Sequence, residues 1–173
     1  MFFQIKHLLG VLCVVFGLSG AVAAQQTTDA PTIGPETNRP LPRYVSLKAS
    51  EANVRRGPSL SHRIDWVFQR KGMPLQVVAE YGHWRRVIDR EGQGGWVHYT
   101  MLTGARTVIV EQESLFLYAR ANTESRQTAE LQADVVARIR KCDGSWCEIT
   151  AGGYKGWAPK SVLWGVDADE DIN

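Results

Sequence analysis

The order of landmarks along this chain repeats once, and that duplication constrains its fold more than any other feature. Asn53-Val54-Arg55-Arg56-Gly57-Pro58 is followed by Gly82-His83-Trp84, then Gly95-Trp96-Val97, then Met101-Leu102. Further on, Tyr118-Ala119-Arg120-Ala121-Asn122 is followed by Gly144-Ser145-Trp146, Gly156-Trp157-Ala158 and Val162-Leu163. Corresponding landmarks lie about 61 to 65 positions apart, the small drift being what loop-length changes produce. Four of the six tryptophans fall into this register, so the chain holds one small structural unit made twice.

Each copy reads as β structure. Tyr44–Lys48 alternates apolar and polar residues, as Leu75–Ala79 does in part; Thr107–Val110 and Val135–Ile139 are their counterparts. Short β-branched or aromatic runs bounded by Gly, Asp and Pro are strand signals. Tyr81-Gly82 and Asp143-Gly144 mark tight turns, where glycine accepts a positive φ. Gly57-Pro58 ends a strand, because proline cannot donate to a ladder. The stretch 124–137 is ambiguous between a helical turn and extended chain, and its start is read as a long loop. Many short strands at close spacing predict a small barrel or sandwich.

At these residues the chain resembles the bacterial SH3-like domain family. The order Asn-Val-Arg-x-Gly-Pro, Gly-x-Trp, Gly-Trp-Val and a closing short turn matches nearly throughout the first copy. The second copy departs where Tyr118-Ala119-Arg120-Ala121-Asn122 replaces the Val-Arg-x-Gly-Pro end, which puts any shared ligand site there in question but not the fold. The resemblance implies an all-β chain with two tandem small SH3-like β-barrels, over 44–104 and 105–165.

The ends have a different character. Lys6 and His7 precede an apolar run from Leu8 to Leu18 and a small-residue stretch from Ser19 to Ala24, the order of a secretory signal peptide over 1–24. That run is shorter than the roughly 20 apolar residues a bilayer span needs. Export implies a periplasmic or secreted protein with no transmembrane segment after cleavage. Residues 25–43 are polar and hold Pro31, Pro35, Pro40 and Pro42, so they are expected to be a disordered linker. The acidic residues 166–173 are expected to be a disordered tail.

Cys142 and Cys147 flank the predicted turn at Asp143-Gly144 and are the cysteines left after signal cleavage. Facing positions across a hairpin bring Cβ atoms within reach of disulfide geometry, and the expected compartment is oxidising. A redox dithiol usually shows Cys-x-x-Cys spacing, and a metal site needs two more ligands.

Around Trp84 and Trp96 the first copy gathers Arg55, Arg56, Arg85, Arg86, His98 and Tyr99. Arginine clamps carboxylates and aromatic rings cover sugar faces, so this set suits an anionic, carbohydrate-bearing polymer such as peptidoglycan. The same residues also fit a solvated strand face over buried core tryptophans. Trp84 and Val87 lie three apart, so a regular strand points them to opposite faces. Charge divides along the chain: nine Lys and Arg against five Asp and Glu over 44–104, eight against eleven over 105–173. Such a balance does not suggest a nucleic-acid binder.

No metal-ligand spacing joins His62, His83 and His98, and no Gly-x-Ser-x-Gly elbow is present. Bridged cysteines leave no thiol nucleophile. A non-catalytic protein without cofactors is expected. Members of the family it resembles often tether wall hydrolases to peptidoglycan, so the resemblance implies wall binding. The alternative is a periplasmic adaptor, docking a protein partner or regulating a cell-wall hydrolase.

Overall fold

A computed structural model describes residues 32–173; the signal-peptide expectation over 1–24 and the first part of the expected linker lie outside the described residues. The two copies build two seven-stranded sheets. The first comprises β3 (Arg43–Leu47), β4 (Ala52–Arg55), β5 (Ile64–Phe68), β6 (Pro74–Tyr81), β7 (Trp84–Ile88), β8 (Gly94–His98) and β9 (Leu102–Thr103), ordered β5-β4-β8-β7-β6-β3-β9. The second comprises β10 (Thr107–Val110), β11 (Ser114–Tyr118), β12 (Gln127–Gln132), β13 (Val136–Asp143), β14 (Trp146–Ala151), β15 (Tyr154–Pro159) and β16 (Leu163–Trp164), in the matching order β12-β11-β15-β14-β13-β10-β16. The duplication read from the landmarks is therefore a duplication of topology.

Alternation decides which side chains form each core. Val54, Leu75, Val77, Val87 and Val97 are buried in the first repeat, and Val110, Leu117, Ile139, Ile149 and Ala158 in the second. Glycines let the strands cross closely. A Cβ on Gly95 would meet the Arg55 carbonyl at 2.7 Å, and one on its counterpart Gly156 would meet the Thr128 hydroxyl at 2.6 Å. The glycine before each strand tryptophan is thus a steric requirement. The ambiguous stretch opens as a loop and then enters β12, an edge strand paired only with β11.

Two expectations of disorder are corrected. Residues 32–42 form a hairpin, β1 (Thr32–Ile33) with β2 (Pro40–Leu41), and Leu41 enters the first core. A buried carboxylate anchors it, and the hairpin's own Glu36 carboxylate accepts the Gly82 amide at 2.8 Å. Glu80 accepts the N–H groups of Glu36 and Thr37 at 3.0 Å, the Thr37 hydroxyl at 2.7 Å and the Arg43 guanidinium at 2.7 Å. Polar composition argued for a flexible segment, but this segment is ordered by a residue more than forty positions away.

The acidic tail is also tied down. Val166 is buried, and the Ile172 and Cys142 backbones exchange hydrogen bonds at 2.7 and 3.2 Å. The buried Lys160 donates to the carbonyls of Ala168 and Glu170 at 3.2 and 2.6 Å. Arg106 forks onto the Glu170 carboxylate and the Gly165 carbonyl. Each cation meets an unpaired carbonyl or a carboxylate, which offsets the loss of chain freedom.

The repeats pack on one another. The Ser46 hydroxyl reaches the Thr107 hydroxyl and the Ala105 carbonyl, both at 2.6 Å, and Thr107 donates to the Gly72 carbonyl at 2.6 Å. Tyr44 meets Trp164 edge to face at 5.3 Å, with the Arg106 guanidinium 5.6 Å from the Tyr44 ring. Arg90 and Arg70 both reach Asp134, at its carboxylate and its carbonyl.

Candidate ligand face of the first repeat

Strand register sorts the singled-out residues onto two faces. Across β6, β7 and β8, Tyr81, Trp84 and His98 form one outward row, and Ala79, Arg86 and Trp96 the next, continued by Arg55 on β4. The opposite face carries Val87 and Val97 into the core. A register shift between Val77 and Ala79 keeps both halves of β6 in phase with β7. Trp84 and Val87 thus diverge, as their spacing predicts. Although largely buried, Trp84 floors an outer groove.

That groove consists of two adjoining cavities. One of about 340 Å³ is lined by Glu51, Arg55, Leu60, Trp84, His98 and Met101. The other, about 540 Å³, is lined by Ser59, Leu60, His83, Trp84 and His98. Leu60 stands 76% exposed at the lip. The loop carrying it is held by Arg55, whose guanidinium donates to the carbonyls of Leu60 at 3.0 Å and His62 at 2.7 Å. His98 lies edge to face with Trp84 at 5.4 Å and 5.0 Å from Tyr99.

The eight residues expected at a ligand site therefore separate. Trp84 and His98 line the groove with Arg55, which positions its loop. Arg86 and Trp96 form the flanking row, and Tyr99 closes the histidine end from a 3-10 turn. Arg56 is exposed and pairs with Asp65 at 3.4 Å. Arg85 points inward, 8% exposed, with its guanidinium 3.5 Å from Glu80 and bonded to the carbonyls of Gly82 and Trp84 at 2.8 Å. Burial pushes the Glu80 carboxyl up, but the hydrogen bonds from Thr37, Arg43 and the Glu36 and Thr37 amides outweigh it, leaving it below the usual glutamate range. His83 also lines the groove; it sits in the β6–β7 turn, and nothing in its neighbouring residues signals that the turn folds over the groove.

The second repeat carries different chemistry at the same register. Its rows are Asp143, Trp146 and Pro159, and Lys141, Glu148, Trp157 and Tyr118. Tyr118 stands for Arg55, Glu148 for Arg86 and Pro159 for His98. Two of these positions are met within the chain: Lys141 lies 4.9 Å from the Trp157 ring, and Lys155 meets Glu148 at 3.1 Å, while Arg138 one row on is exposed. On the inner side, the expected disulfide joins Cys142 to Cys147, register partners with Cα atoms 4.0 Å apart. It occupies the position where the first repeat places Glu80 opposite Arg85.

A family model described as the bacterial SH3 domain matches residues 48–104 and again 111–165. None of the curated proteins matches the chain. Among solved structures, the NlpC2 protein of Trichomonas vaginalis is similar with a TM-score of 0.34 and 12% identity, over 74% of this chain and 51% of its own. The NlpC1 protein of that organism gives 0.34 and 11%, over 76% and 49%. An NlpC/P60 family protein of Bacillus cereus gives 0.32 and 16%, over 75% and 58%. The chain spans about half the length of these structures.

Proposed function

From the premise that the chain belongs to the bacterial SH3 domain family, in two tandem copies, we propose that it is a non-catalytic binding protein of the cell envelope whose first repeat binds peptidoglycan. The observation that carries this reading is the contrast between the two outer faces. In the second repeat Trp157 and Glu148, at the register positions of Trp96 and Arg86, are met by the chain's own Lys141 and Lys155. In the first, Arg86 is exposed, has no ion-pair partner among the described residues, and stands beside Trp96. An exposed cation next to an aromatic row suits a carboxylate-bearing sugar polymer, the charge drawing it in and the rings covering sugar faces. Among the described residues no helix is long and apolar enough to cross a membrane; a periplasmic or secreted location belongs to the same proposal.

The test is co-sedimentation of the oxidised chain with purified sacculi at low and moderate salt. Binding that weakens with salt, and is lost when Arg86→Glu is combined with Trp96→Ala, is expected. Absence of binding at both salts overturns the reading and favours the adaptor role, for which the exposed Leu60 offers a contact; a periplasmic pull-down follows in that case.

A further inference from the structure

The groove over Trp84 has fewer available cations than the arginine count around it implies. Arg55 is committed to the loop carbonyls, Arg85 to Glu80 and Arg56 to Asp65. Arg86 belongs to the neighbouring row. The groove is walled instead by imidazoles. His83 and His98 line the same cavity, with ring centroids 5.8 Å apart and planes at 87°. The Tyr99 amide donates to the His83 carbonyl at 2.9 Å, fixing the turn against the end of β8. Thr100 engages Nδ1 of His98 at 2.8 Å, so Nε2 is the nitrogen left to a ligand. The Tyr99 ring lies 5.6 Å from His83, completing an aromatic wall.

Imidazoles at this spacing can grip the two oxygens of one carboxylate. Protonation makes every ring nitrogen a donor and adds charge, and histidine is the side chain that gains charge between pH 8 and 5. Two carboxylates also face the pair, Glu51 in a cavity that His98 shares and Glu36, which accepts the Gly82 amide beside His83 at 2.8 Å. Arg55 is latched to its loop, and the Arg85 guanidinium lies 6.0 Å from Tyr99 on its way to Glu80.

We infer that His83 and His98 form an anion subsite of this groove that takes a ligand carboxylate and binds it more tightly as pH falls from 8 toward 5. The inference rests on the first repeat being the ligand-bearing one. Its test uses two probes, tetraglutamate followed by calorimetry and purified sacculi followed by co-sedimentation, at pH 7.5 and 5.5. Both pH values keep glutamate carboxylates ionised, whose ordinary pKa is about 4.3. Tetraglutamate affinity should rise about threefold to tenfold on acidification, the gain of one or two exposed charge pairs. His83→Gln and His98→Gln, checked for unchanged thermal unfolding, should each flatten that rise. Sacculus binding with the same histidine-dependent rise supports both readings. Tetraglutamate binding of this kind without sacculus binding keeps the subsite and removes the wall. Sacculus binding that ignores pH and both substitutions, or tetraglutamate that fails to bind at pH 5.5, overturns the subsite.

Discussion

Glu80 shows how much one side chain can organise. Its buried carboxylate joins the N-terminal hairpin, Arg43 on β3 and Arg85 on β7. Removing it leaves two largely buried guanidiniums without their counter-ion, so Glu80→Ala should cost about 3 kcal/mol in urea unfolding. Because the folded carboxyl lies below the usual glutamate range, its contribution is complete above the unfolded value and lost as pH falls through the lower folded one. Protection of the Glu36 and Thr37 amides relative to their intrinsic exchange should therefore fall as pH drops below the ordinary glutamate value of about 4.3, and Glu80→Ala should remove that pH dependence. Gly95 is the second such residue. Gly95→Ala places a methyl group against backbone, and should destabilise the first repeat by about 1–3 kcal/mol. No change in unfolding midpoint would show that β4 and β8 can separate freely. At this scale the sequence was only partly legible. That Trp84 and Val87 face opposite ways followed from spacing, but which of them turns outward did not; the inward turn of Arg85 depends on pairing opposite Glu80, and the place of His83 on how a turn folds over.

Among the elements, each repeat closes the same inner cross-strand position by different chemistry. In the first, an ion pair sits between β6 and β7; in the second, a disulfide sits between β13 and β14. Both closures border a terminal segment, since Glu80 binds the hairpin and the Cys142 backbone pairs with Ile172. Reduction should lower the stability of the second repeat by about 2 kcal/mol, small because the closed loop is short. It should also raise exchange at Ile172 while leaving Glu36 and Thr37 unchanged. Equal effects on both termini would contradict separate closures. Most strands were readable because alternation and turn glycines are local signals. The hairpin over 32–42, strand β12 and the tail were not. Gln127–Gln132 is polar at an edge, and both terminal segments are held by partners remote in sequence, Glu80, Arg106 and Lys160.

For the whole molecule, the contacts of Ser46, Thr107, Asp134 and Tyr44 with the opposite repeat join two cores into one compact unit. The duplication left the topology intact and let the outer faces diverge, one with Arg86 exposed beside Trp96, the other with Trp157 and Glu148 met by its own lysines. The central claim is that ligand binding belongs to the first face. Backbone amide chemical shifts, followed while soluble peptidoglycan fragments are added to the full oxidised chain, test this most directly. Shifts confined to residues 55–62, 79–86 and 94–99, with 141–159 unmoved, are predicted. Shifts centred on Trp146 and Trp157, or none anywhere at saturating fragment, would contradict it.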